Sequence, residues 1–158
     1  QPAPASLGGF FLMIFRLVTL FCVVGLVGCA GPFFLIPGGA LEGPVAETPA
    51  EWGFSDAIST VQVETRPEDP YSVNIWAAAL DEYLYLHAGG NRTEWVEHLE
   101  VNPLIRVAMD GSIYELTAVR VVGADEFGRF ADAYEVKYGL RPRNENIGEI
   151  YVYRLGPR

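Results

Sequence analysis

The sequence predicts a mainly β domain of the α+β class, a small six-stranded antiparallel barrel carrying two short helices. Three observations point there. Short runs rich in β-branched and aromatic residues recur from residue 58 to the C-terminus, separated by turn residues. One separator, Asp110-Gly111, stands between two long β-prone runs and is a strong signal for a primed hairpin turn. Only two stretches carry helical spacing, and they do not alternate with strands as a parallel crossover series requires.

The elements follow in order. In 58–65, Val61 and Val63 face one way and Gln62 and Glu64 the other, a half-buried strand. Arg66-Pro67-Glu68-Asp69-Pro70 is a turn. A second strand is expected over 71–79, with Asp81-Glu82 turning the chain into a third, 83–87. Ala88-Gly89-Gly90-Asn91-Arg92 is a glycine loop, and Thr93 suits the N-cap of a helix over 94–100. That helix has Trp95, Val96 and Leu99 on its apolar face, and Asn102-Pro103 stops it. The hairpin pairs 104–109 with 112–122. A second helix, 125–138, carries Phe127, Phe130, Ala131, Tyr134 and Tyr138 on one stripe and ends at Gly139. A last strand is expected over 147–155.

Half of the residues are hydrophobic and 13% are aromatic, which supports a packed core and excludes global disorder. There are 11 Lys and Arg against 20 Asp and Glu. Arg16 is the only basic residue ahead of the first acid, Glu42, so the chain beyond it holds ten basic and twenty acidic side chains, a charge of −10. This argues against nucleic acid as a partner, which needs a basic surface, and against docking on anionic lipid by charge.

Residues 1–30 read as a signal peptide with a lipobox or as a membrane anchor, 31–53 as a Pro/Gly-rich tether, and 54–158 as the barrel domain. Residues 17–36 hold no charge, and Arg16 stands before them. Leu26-Val27-Gly28-Cys29 after the apolar run resembles a bacterial lipobox, with Cys29 as the lipidated residue and Met13 as a natural start. A spanning helix is the other reading, since twenty apolar residues are just long enough. Either way the domain is exported and membrane-anchored, periplasmic or on the outer face of a bacterial envelope. The tether carries Pro32, Pro37, Gly38, Gly39, Gly43, Pro44, Pro49 and Gly53. Both cysteines, Cys22 and Cys29, precede the domain, so no disulfide forms within it.

Two histidines, His87 and His98, and the absence of cysteine from the domain argue against a metal site. Gly89-Gly90-Asn91-Arg92-Thr93 suits a phosphate or another anion, because freed amides, a helix start and a guanidinium converge there; it equally suits an ordinary loop. Glu68-Asp69 reads as a solvated pair.

The order of elements resembles the pyridoxamine-phosphate-oxidase-like split barrel, including deazaflavin-dependent nitroreductases. The residues that carry the likeness are Thr65-Arg66, Asn74-Ile75-Trp76, 83–90, Trp95-Val96-Glu97-His98-Leu99-Glu100-Val101-Asn102-Pro103, Ile105-Arg106-Val107, and Tyr114-Glu115-Leu116-Thr117-Ala118. The resemblance implies a homodimer with FMN or a deazaflavin in a groove between subunits, serving an oxidoreductase that acts on a small molecule. It implies cofactor contacts at Arg66, Ser72, Asn74 and Arg92, and His87, Gly89 and Gly90, at the strand end and glycine loop where ligands bind, are counted with them. Two alternatives stand beside it. One is a cofactor-free barrel acting as a binding or structural module of the envelope. The other is a binder of haem or an apolar ligand, with His87 as axial ligand.

Overall fold

The run from Tyr71 to Leu80 shapes the molecule, because it begins in one part of the sheet and ends in another. In the computed structural model, which describes residues 36–89 and 93–158, it forms β3 (Tyr71–Ile75) and β4 (Ala77–Leu80), with Trp76 between them. The other strands are β1 (Val45–Ala46), β2 (Val61–Thr65), β5 (Tyr83–Ala88), β6 (Leu104–Met109), β7 (Ser112–Arg120) and β8 (Tyr151–Pro157). The helices are α1 (Glu94–Val101) and α2 (Ala124–Tyr138), and a 3₁₀ turn spans Gly53–Ala57. Cys29, Gly90 and Arg92 lie outside the described residues.

The sheet runs β3-β2-β6-β7-β8-β5-β4, antiparallel throughout. Its two end strands are consecutive in the chain, so the corner at Trp76 joins the ends and the sheet curls into a barrel. This corner changes the expected strand count. The run 71–79 was expected as one strand, yet β3 pairs with β2 and β4 with β5. With β1 added, the described residues hold eight strands rather than six. The last strand begins at Tyr151 rather than residue 147, since 147–149 make a turn.

Local chemistry accounts for the rest. Asp110 and Gly111 both take positive φ, 49° and 73°, and Met109 pairs with Ser112 across them, as the primed turn requires. Gly139 takes φ 71° as the left-handed C-cap of α2. Thr93 occupies the N-cap position of α1, but its side chain makes no cap bond.

Two apolar layers hold the barrel. Val61, Val63, Leu84, Leu86, Ile105, Val107, Leu116 and Leu155 fill the interior, and α1 joins that cluster with Trp95, Val96 and Leu99. Outside, α2 lays Phe127, Phe130, Ala131 and Tyr134 over Ala78, Tyr85, Ile150 and Val152. β5 serves both layers, Leu84 and Leu86 going in and Tyr85 out.

The stretch read as a tether lies, from Gly38 onward, on the barrel. Gly38 exchanges two backbone hydrogen bonds with Ser72, each 2.8 Å. The Leu41 amide donates to Glu64 Oε2 at 2.5 Å, and the Ile113 amide donates to the Pro44 carbonyl at 2.8 Å. Val45 and Ala46 then run parallel to Ile113 and Tyr114. Leu41 is buried, and Trp52 joins the interior cluster edge-on to Tyr114. Residues 38–46 therefore form a strap over the outer face of β3, β2, β6 and β7.

Candidate functional site

A polar junction forms where α1 meets the β2–β3 turn. Thr65 ends β2 and Arg66 follows it in the left-handed region, φ 56°, where the chain reverses. α1 places His98 against both. The His98 ring sits edge-on to Tyr71 at 5.1 Å and is largely buried. Its Nδ1 lies 2.9 Å from Thr65 Oγ1, and Arg66 Nη1 lies 3.5 Å from Nε2.

These contacts suit one tautomer of the ring. A guanidinium only donates, so the Arg66 contact needs the lone pair on Nε2. The proton then sits on Nδ1 and is donated to Thr65 Oγ1, whose hydroxyl points to the Tyr71 carbonyl at 3.5 Å. Glu94 Oε1 approaches Nε2 at 3.9 Å. Burial, then the Glu94 carboxylate, push the Tyr71 phenol up. Arg66 is also gripped by its own turn: Nε donates to the Asp69 carbonyl at 2.6 Å, and Nη2 lies 3.0 Å from Asp69 Oδ2. The junction thus offers a half-exposed cation beside an imidazole in the last turn of the helix that follows the glycine loop.

The residues nominated from sequence do not converge there. Ser72 and Asn74 lie on the outer face of β3, opposite Glu64 and Gln62. Ser72 is fully buried under Gly38, and its Oγ has no hydrogen-bond partner. His87 faces outward beneath α2, between Phe130 and Tyr134 at 6.0 and 5.7 Å. Its Nε2 is buried with no hydrogen-bond partner, and burial holds the imidazole below its ordinary range. This is a wall position in an aromatic layer, and the nitrogen an axial haem ligand needs is covered. Gly89 is exposed at the end of β5, and nothing lies within 4 Å of where its Cβ would be. Of the nominated residues that are described, only Arg66 belongs to the junction.

Sequence reading passed over Thr65, Tyr71 and His98 as a unit. The available signal was the spacing of Glu94 and His98, one helical turn apart on the polar side of α1. It also passed over Glu64, a buried carboxylate held by Arg106 Nη1 at 3.0 and 2.9 Å. Arg106 and Glu115 continue that row, each directly across from the last. No group of three metal-ligating side chains occurs among the described residues.

No family model matches the chain, and no curated protein is significantly similar to it in sequence. Solved structures do match. A conserved protein of Mycobacterium tuberculosis superposes with a TM-score of 0.54 at 17% identity, over 66% of this chain and 76% of that one. A Listeria innocua protein named as a pyridoxamine 5'-phosphate oxidase gives 0.50 at 13%, over 65% and 86%. The fold is the pyridoxamine-phosphate-oxidase-like split barrel. A third structure, of a Bacteroides thetaiotaomicron protein named for 5-nitroimidazole antibiotic resistance, gives 0.50 at 13%, over 61% and 71%.

Proposed function

We propose that this chain is a membrane-anchored split-barrel oxidoreductase that takes a flavin or deazaflavin, with Arg66 meeting the anionic end of the group and His98 positioning Arg66. The observation that carries this reading is the Arg66–His98–Thr65 junction, where the last turn of α1 meets the β2–β3 turn. Its context is a fold shared with proteins named for pyridoxamine 5'-phosphate oxidation and nitroimidazole resistance. The residues fit such a group unevenly. Arg66 suits an anion, whereas Ser72 is sealed by the strap and His87 by α2. A bound flavin would supply the electron chemistry. The chain would bind and orient it, with Thr65 holding the His98 ring so that Nε2 faces Arg66. The reading further takes Cys29 as the lipidated anchor and a second copy of the chain as partner.

Titration with FMN and with a deazaflavin tests it. Arg66→Ala should weaken binding about tenfold or more, the range for a hydrogen bond to a charged group. Asp69→Asn should tighten it, because Arg66 loses its competing carboxylate. A colourless protein that takes up neither cofactor sinks the proposal. It would favour the cofactor-free module, which the sealed Ser72 and the Asp69 grip on Arg66 already support.

A further inference from the structure

We propose that the side of the barrel at the edge of β3 that Gly38 pairs with, where the strap leaves the sheet, is held directly against a lipid bilayer. This rests on the anchored reading above, and holds for a lipidated Cys29 or a spanning segment alike.

The strap sets the leash. If residues 31–53 were a free tether, Cys29 and Gly53 would stand on average about 25–30 Å apart. The strap instead fastens the chain at Gly38, nine residues after Cys29. Nine residues average about 15–18 Å and reach at most about 32 Å. The radius of gyration of a domain this size is about 14 Å. The fastening point thus lies on average little more than one such radius from the anchor, which restricts how the barrel can turn above it. A spanning segment ending at Ile36 shortens the leash to two residues.

The fastening is firm because it uses buried groups. Gly38 is paired at both backbone atoms with buried Ser72, and the Leu41 amide meets a buried carboxylate. β3 is an end strand of the sheet, and it runs into Trp76, 43% exposed, a residue type suited to the headgroup region. Ile36, at the mouth of the leash, is 64% exposed. The acidic domain supplies no charge attraction to anionic lipid, so the covalent leash does the holding.

The test uses the full chain in phosphatidylcholine vesicles containing a headgroup-nitroxide quencher. A fluorescent amino acid replaces Glu68, in the turn leading into β3, or Asp125, at the start of α2 beyond β7. Quenching at 68 should exceed quenching at 125 several-fold. About twenty Gly/Ser residues inserted after Gly31 add about 25 Å of average reach and should erase the difference. The same insert after Ala50, beyond the strap, should leave it intact. Equal quenching at the two positions, or equal effects of the two insertions, in a chain that floats with the vesicles overturns the proposal and leaves the anchor standing. A chain that does not float with the vesicles overturns both.

Discussion

His87 and Glu64 show how one buried group sets the behaviour of its surroundings. Burial lowers the His87 value below its ordinary 6.5, so the folded state binds its proton less readily than the unfolded chain. The contribution to stability is whole above about pH 6.5 and is lost as pH falls toward the folded value. His87→Phe should flatten that part of the profile, read as the difference in Tm between the two proteins at pH 7.5 and at pH 5. An unchanged difference would show that the ring is solvated. Glu64 poses the opposite problem, a buried charge that is paired. Arg106→Ala strands its carboxylate and should cost about 3 kcal/mol in urea unfolding, the lower end of the range because Arg106 is partly exposed. Adding Glu64→Gln to that variant should recover much of the loss. Thr65→Val, which keeps the shape and removes the hydroxyl facing His98, should cost about 1 kcal/mol.

At the scale of elements, the two helices are fastened differently. α1 is held by apolar burial, and Leu99→Ala should cost about 2–5 kcal/mol by leaving a cavity in the barrel interior. α2 adds a polar latch at its C-terminus. Lys137 Nζ donates to the carbonyls of Ser55 and Ala77 at 2.7 and 2.6 Å, and burial lowers its ordinary value. Tyr138 stacks on Trp76 at 4.6 Å, and its hydroxyl bonds Ser59 and Ala77; burial pushes the phenol up to about 12. The latch ties the helix to the 3₁₀ turn and to the corner where the sheet closes. Lys137→Met keeps most of the apolar stem and removes both donors. Amide exchange should then quicken in 53–57 and at the start of β4 while the β6–β7 hairpin stays protected.

For the whole molecule, Val119, Val122 and Val136 are exposed. If the chain pairs with a second copy, light scattering in detergent should report twice the mass of one mature chain, with Val122→Asp shifting it toward the monomer. A single-chain mass for the unmodified protein would remove the dimer from the proposed function. The sequence by itself determined the fold class, the β6–β7 hairpin and both helices. Alternation, Asp110-Gly111 and the stripe from Phe127 to Tyr138 are local signals that act over a few residues. Tertiary structure alone decided the rest. Whether 71–80 is one strand or two depends on which strands its halves meet. Whether 38–46 is tether or strap depends on a glutamate twenty-three residues away from Leu41. His98 became a partner of Thr65 and Arg66 only because α1 crosses back over the β2–β3 turn, and His87 sits apart from that junction because β5 turns it beneath α2. Pairing between distant residues leaves no periodic trace in the chain, which is why those positions could be named from sequence but not placed.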